Sequence, residues 1–409
     1  MKTAEEIVLL AEEKAQKQFK EVEEIAFKNE CKVIEAYKKN RVALRHFAGS
    51  TGYGGGDDGR EVLNNVFADV FGAESAFATP HILSGTHALT VALFGILRPG
   101  DLLLSITGKP YDTLDEVLSG GDGSLADFGI KYEAVEMKGD DIDIPAVLDK
   151  LSACKPKVVF IQRSRGYSPR NALSVEKIGE AISAVRSVLP DVCVMVDNCY
   201  GEFIETREPT EVGADVIVGS MIKNPGGGLA PTGGYVAGKQ KYIEKIAGRV
   251  TSPSLGTDIG SYQNGYQYFF QGFFLAPHTV CQAVKGSILF AYALTEAGYK
   301  TIPEPQAKCG DIIRDVVLDT EEELIEFIRQ IQLCSPVDSF AYCEPSEMPG
   351  YEDKVIMAAG CFVQGASLEL SADSPIRAPY IVYLQGGLTY EHCKYAAINC
   401  LKALLKNKQ

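Results

Sequence analysis

Short apolar runs separated by amphipathic stretches dominate the chain between about residues 61 and 255. The runs are LLLSI (102–106), KYEAV (131–135), VVFIQ (158–162), VCVMVD (192–197), DVIVGS (215–220) and GGYVAG (233–238). Between them lie segments such as VEKIGEAISAVRSVL (175–189), apolar at every third or fourth position. Runs rich in β-branched residues read as buried strands, and the wider spacing reads as helices packed by one face. Their alternation predicts repeated βαβ units and a mostly parallel sheet flanked by helices, an α/β fold.

Outside that region the pattern changes. Residues 3–40 carry a narrow apolar stripe among alternating charges, which predicts one or two amphipathic helices forming an arm packed on another surface. The segment AGSTGYGGGDDGR (48–60) is a glycine-rich loop. Residues 277–298 read as a long, largely buried helix closed by Gly298. Beyond it come a helical pattern at 320–332, apolar segments at 355–369 and 380–384, and a terminal helix at 390–406. The division expected is an arm and loop at 1–60, a large domain at 61–298, and a smaller C-terminal α+β domain at 299–409. Neither an internal repeat nor a low-complexity linker separates them.

Composition narrows the function classes. With 409 residues, 46% hydrophobic and 23% charged, the chain has the make-up of a soluble globular protein. A net charge of −14 argues against nucleic acid and against anionic membranes as partners. The 11 cysteines are odd in number and contain no Cys-x-x-Cys pair, which speaks against a disulfide framework or a zinc ribbon and for a reducing compartment. Cys193, Cys281 and Cys361 lie in apolar runs and read as small buried hydrophobes. There is no signal-peptide core and no apolar segment of membrane-spanning length, so a cytoplasmic location is expected. No metal site is expected; the acidic Asp57–Asp58–Gly59 is a turn sequence before it is a cation contact.

The chemistry gathers around one acid and one lysine. Asp197 ends the VCVMVD run, and Lys223 stands just past the next run, ahead of a glycine-rich break at 224–228. An acid at one strand end and a lysine beyond the next suit pyridoxal phosphate: the lysine forms a Schiff base and the acid holds the pyridine nitrogen protonated. Ser84, Gly85 and Thr86 precede a helical run, where free amides and hydroxyls make an anion site. Ser220 adds a hydroxyl three residues before Lys223. Tyr111 is an aromatic that could stack on a flat cofactor. Taken singly, each part has an ordinary structural reading, as a solvated pair, an N-cap or a core tyrosine.

Taken together, SGTHA (84–88), RPGD (98–101), Tyr111, MVDN (195–198) and GSMIKNPGGG (219–228) resemble, in order and spacing, the fold-type I pyridoxal phosphate enzymes. Within these the chain looks like the cystathionine β-lyase / methionine γ-lyase group. It is most similar to the bacterial carbon–sulfur lyase-like proteins linked to aluminium resistance, through its GYGGGDDGR loop and QRSRGYSPRNAL (162–173). The resemblance implies that Lys223 is both the Schiff-base lysine and the base that moves the Cα proton, with Asp197 on the pyridine nitrogen. It implies Ser84, Gly85, Thr86 and Ser220 at the phosphate, and either Tyr111 or His87 stacked on the ring. Tyr53 and Arg60 would reach the phosphate from a neighbouring subunit, and Arg377 would grip the substrate carboxylate.

It further implies a homo-oligomer, a dimer at least and a tetramer of two such dimers, with the 1–40 arm a candidate interface. The activity implied is β- or γ-elimination from a cysteine- or homocysteine-type amino acid. An aminotransferase, aldolase or racemase of the same fold, or a non-catalytic stress-response relative, are the alternatives. Two departures stand out: Ile222 replaces a frequent hydroxyl residue, and 162–167 lacks the asparagine that usually meets the cofactor's ring hydroxyl, leaving Arg165 or Tyr167 to substitute. A neutral base near pH 7 needs a lowered lysine pKa, expected from burial and the cofactor.

Overall fold

The computed structural model describes residues 2–348, 351 and 353–407, so the extreme ends of the expected first and last segments lie outside the described residues. The arm is one continuous helix, α1 (Ala4–Lys39). Thr3 and Glu6 cap it reciprocally, each side chain accepting from the other's amide. After the glycine-rich loop comes α2 (Asp58–Val70), whose first amides are met by Asp57. The Asp57–Gly59 turn is therefore a helix start.

Seven strands form the larger sheet: β1 (Ser75–Thr79), β2 (Leu102–Ser105), β3 (Lys131–Ala134), β4 (Val158–Gln162), β5 (Cys193–Asp197), β6 (Val216–Ser220) and β7 (Gly234–Gly238). Helices α3 (Gly85–Ile96), α4 (Asp112–Ser119), α5 (Ile144–Ala153) and α6 (Val175–Val188) alternate with them, and α7 (Gln240–Val250) follows. The order is β1-β7-β6-β5-β4-β2-β3. From β6 to β3 every pairing is parallel, while β7 runs antiparallel between β6 and β1. Six strands match the apolar runs. The seventh, β1, is an alanine-rich SAFAT with no β-branched run to announce it.

Both faces of this sheet are covered over β4 to β7, which is why those strands read as apolar runs rather than alternating ones, while the edge strand β3 (KYEA) has no buried residue. Val194, Val196 and Ile217 pack into one buried cluster, and Met195, Val216 and Val218 into another on the opposite face. Each such side chain contributes about 1.5–3 kcal/mol on burial.

A long helix, α8 (Gln267–Glu296), leaves the large domain, with Gly298 left-handed just beyond it. It starts well before Pro277, where the sequence predicted the beginning. Proline removes one backbone bond from a helix interior, but the turns on both sides of Pro277 are held by buried residues including Phe269, Phe273, Val280 and Val284. Beyond it, β8 (Lys300–Ile302), β9 (Ile313–Leu318), β10 (Val355–Ala358), β11 (Ser371–Pro375) and β12 (Tyr380–Gln385) make an antiparallel sheet in the order β10-β11-β12-β9-β8. Two helices complete it, α9 (Glu321–Cys334) and α10 (Tyr390–Asn407). The arm α1 lies on α8 and α10 of its own chain, burying Ile7, Val8, Ala11 and Phe19.

One contact ties α8 to the loop that follows β6. The backbone of Gly272 meets that of Gly226 so closely that a Cβ on residue 272 would lie 2.1 Å from the Gly226 carbonyl oxygen. All 11 cysteines are free; Cys193 and Cys281 are buried as expected, whereas Cys361 is only partly so. Among the described residues no helix is long and apolar enough to cross a membrane.

Candidate functional site

The carboxyl ends of β4, β5 and β6 meet at one edge, where open α/β sheets bind their ligands. Asp197 closes β5 and pairs in register with Val218 of β6. Ser220 closes β6, and the chain then turns through Lys223 before returning as β7. On the other side α3 points its N-terminus at the same edge. Ser84 caps it, accepting from the His87 amide at 3.0 Å. A Cβ on Gly85 would lie 3.3 Å from Cys199 Sγ, 3.5 Å from Ser220 Cβ and 3.8 Å from Lys223 Nζ, so this helix start closes directly on the lysine.

These groups line a cavity of about 590 Å³ that the smaller domain covers with Tyr351, Asp373, Arg377 and Tyr383. The Lys223 ammonium lies 3.9 Å from the centroid of the Tyr200 ring and makes no salt bridge among the described residues. Burial alone would lower its pKa, but Cys199, Tyr200, Asp197 and Tyr111 outweigh burial and hold it well above the ordinary lysine value. The lowered value expected from the sequence is therefore not supplied by this protein's own residues. Burial pushes Asp197 up, opposed by Lys223 and by the Cys199 amide, which donates to Oδ1 at 3.1 Å.

Tyr200 has φ of +71°, a left-handed conformation costly for a bulky residue, and its hydroxyl shares a hydrogen bond with Ser367 Oγ at 3.2 Å. Tyr111 shares one with Thr86 Oγ1 at 3.2 Å, and its amide donates to Gln162 Oε1. Of the two candidates for stacking, only Tyr111 lines the cavity; His87 turns its Nδ1 back to accept from the Leu83 amide at 3.0 Å.

Two of the expected residues are not brought to the cavity of their own chain. Arg60 is 1% exposed, and its guanidinium donates to the carbonyls of Gly54, Asp258 and Gly260. A buried guanidinium has to find acceptors, and here it finds one in its own loop and two in the distant 258–260 segment. Tyr53, on the same loop, is 82% exposed. Arg377 does line the cavity, half-exposed and donating to Asp353 Oδ2 at 3.0 Å. Arg165 and Tyr167 both line it too, Arg165 engaged by Asp311 and Asp315, Tyr167 by Asp373.

Sequence reasoning passed over Gln162, Cys199, Tyr200, Glu202 and Asp373. Three of these fall within five residues of Asp197, in DNCYGEF (197–203), so proximity to the acid was the available signal. Glu202 is fully buried beneath Gly219, accepts from Tyr235 at 2.7 Å through Oε1, and has no partner for Oε2. Burial pushes it up to about 8 against the opposing Tyr235 bond. A folded-state value above the unfolded one means that the folded protein holds the extra proton. The associated stability is therefore present below about pH 4.5 and lost as pH rises to about 8, by up to about 1.4 kcal/mol per pH unit. Urea midpoints of Glu202→Gln should fall less steeply than those of the parent between pH 5.5 and 7.5. Parallel slopes would show that Glu202 is ionised in the fold.

The donor set fits pyridoxal phosphate. Ser220 Oγ is buried with no hydrogen-bond partner, beside a helix N-terminus, and a phosphate oxygen would satisfy it. Lys223 and Asp197 lie behind it in the same cavity.

Comparison with known proteins agrees. Residues 4–405 match the model of the family described as methionine gamma-lyase. The uncharacterized protein YnbB of Bacillus subtilis is 50% identical over 95% of this chain and 93% of its own. A carbon–sulfur lyase involved in aluminum resistance from Clostridium novyi NT superposes with a TM-score of 0.94 at 45% identity, over 98% of this chain and 96% of that one. The pyridoxal-5'-phosphate dependent protein YhfS of Escherichia coli shares the fold at 16% identity, with a TM-score of 0.65 over 94% and 97% of the two chains.

Proposed function

Because this chain belongs to the methionine gamma-lyase family, we propose that it is a pyridoxal phosphate-dependent carbon–sulfur lyase. Its substrate would be a cysteine- or homocysteine-type amino acid. With an S-substituted cysteine and water the products are the thiol, pyruvate and ammonia; with the homocysteine homologue the keto acid is one carbon longer. The observation that carries this reading is the meeting of Lys223, Asp197, the orphan Ser220 hydroxyl and the α3 N-terminus in one covered cavity.

Lys223 would carry the cofactor, Asp197 face its ring nitrogen, and Ser84, Gly85, Thr86 and Ser220 hold its phosphate. Bound pyridoxal phosphate supplies an electron sink for the pair left on Cα when its proton departs. The rest falls to the protein. Lys223 Nζ takes the Cα proton once it is neutral, and Tyr200 beneath it limits where the amine can travel. Asp197 keeps negative charge at the cavity floor, and Tyr111, fixed by Thr86 and Gln162, presents a flat wall. Arg377 offers a fork to the substrate carboxylate, for which it would exchange Asp353. The smaller domain keeps bulk water from the reacting carbon.

The exposed Tyr53 loop supports a further part of this proposal: a homo-oligomer, at least a dimer, in which that loop meets a neighbouring subunit's cavity.

The test is to supply S-substituted cysteines and homocysteines without any co-substrate and to measure thiol, keto acid and ammonia. Equal amounts of the three are expected. Product formed only when a keto-acid acceptor is added would make the protein an aminotransferase instead.

A further inference from the structure

The turn that carries Lys223 rests on a buried acid to which the proposed chemistry gives no part. Glu202 and Asn224 are both fully buried, and Asn224 directly follows the lysine. The Asn224 side chain donates from Nδ2 to the Glu202 carbonyl at 2.9 Å, so the two residues touch. Glu202 Oε1 lies under β6, where only a glycine fits: a Cβ on Gly219 would stand 2.6 Å from it. The same oxygen accepts from the Tyr235 hydroxyl of β7 at 2.7 Å. The acid is thereby fixed against both strands that flank the turn.

Two acceptors at this point have nothing to accept. Neither Glu202 Oε2 nor Asn224 Oδ1 has a hydrogen-bond partner. The titratable groups that face Glu202 are Tyr235 from β7, Lys223 from the turn, Cys199 from its own segment, and Glu208 from the loop beyond. Glu208 is engaged by Arg163 and Asn198. No lysine, arginine or histidine among the described residues forms an ion pair with Glu202. A carboxylate here would be a buried charge without a cation, and each unsatisfied buried acceptor adds its own cost. A single proton on Oε2 removes the charge, turns one acceptor into a donor and gives the other its partner. Burial pushes this carboxyl up to about 8, with the Tyr235 bond opposing, so the acid mostly keeps its proton at neutral pH.

We propose that Glu202 is a positioning residue for Lys223, a neutral acid that donates from Oε2 to Asn224 Oδ1 and so clamps the turn of the lysine. Loss of that proton would set a carboxylate against the Asn224 oxygen and loosen the turn above it. The positioning role rests on Lys223 being the cofactor lysine of the lyase reading, whereas the shared proton does not.

The experiment compares the parent protein with Glu202→Gln, Glu202→Leu and Asn224→Ala, each checked by circular dichroism. Glutamine keeps a donor for Asn224 and an acceptor for Tyr235, and leucine keeps neither. At neutral pH the infrared difference between parent and Glu202→Gln should contain the carbonyl band of a protonated carboxyl. Asn224→Ala should shift that band to higher frequency. Pyridoxal phosphate is then titrated into cofactor-stripped protein and its Kd read from the visible absorbance. Glu202→Leu should bind it at least about tenfold more weakly than the parent, the scale of one buried group left unpaired. Glu202→Gln should stay within about threefold of the parent, and from about pH 7 to about pH 9 its Kd should change less. No carboxyl band at neutral pH, a band unmoved by Asn224→Ala, or a Glu202→Leu that binds like the parent would overturn the clamp. So would a Glu202→Gln as weak as Glu202→Leu. Should Glu202→Leu fail to fold, the infrared bands and the pH dependence of Glu202→Gln still decide. A parent that binds no pyridoxal phosphate overturns the lyase reading and the positioning role together. Tight binding without thiol release overturns the lyase reading and leaves the clamp standing.

Discussion

Lys223→Ala should leave a folded protein that no longer holds pyridoxal phosphate covalently and whose turnover is at least about a thousandfold lower, the scale of a lost general base. Borohydride reduction of the parent protein, followed by peptide mapping, should place a pyridoxyl group on Lys223. The variant should carry no label at the cavity. Folding should survive the change, because the Lys223 ammonium supports no salt bridge among the described residues and its nearby partner is a tyrosine ring. Thermal midpoints of the two cofactor-free proteins should therefore agree within a few degrees. Full activity in the variant would remove Lys223 from the chemistry and with it the present reading of the site.

The second large effect concerns stability and lies away from the reacting groups. Gly272 of α8 and Gly226 of the lysine loop touch backbone to backbone, and Gly227 beside it would place a Cβ 2.1 Å from the Gly272 carbonyl oxygen. Alanine at 272 would gain helix propensity, about 1 kcal/mol. It would also force the loop off the helix, at a cost of about 1–3 kcal/mol beyond that gain. Gly248 of α7 is the control, since a Cβ there meets nothing closer than 3.6 Å. Gly248→Ala should raise the urea midpoint, whereas Gly272→Ala should lower it and slow cofactor capture by displacing Lys223. If both substitutions stabilise, the loop is not braced by α8.

Much of this was legible in the sequence, and the reason is physical. Strands buried on both faces announce themselves as apolar runs, so β2 and β4 to β7 could be read directly, whereas the edge strand β3, with no buried residue, was legible only through its place in the alternation. So could the residues that sit where such runs end, Asp197, Ser220 and Lys223, and those at a helix start, Ser84 to Thr86. What escaped depends on partners distant in the chain. β1 is a strand because β7 lies beside it, not because SAFAT favours extension. α8 passes through Pro277 because its neighbours bury both flanks. Asp373 enters the cavity through a register with Tyr383 that no local pattern encodes, and Arg60 is spent on carbonyls from residues 258 and 260, far along the chain.

The pairing of Ser75 with Gly238, the first strand of the larger sheet against the last, also bears on how the molecule comes into being. A ribosome delivers β1 long before β7, and until β7 arrives neither β1 nor β6 has its neighbour on that side. The nascent chain thus carries β1 unpaired through most of the synthesis of this domain, and the β6 edge joins it over the short stretch before β7. Loop closure over such a span is slow and leaves those edges open to other chains. Efficient production should therefore respond to chaperone supply and growth temperature more strongly than the well-packed finished core would suggest.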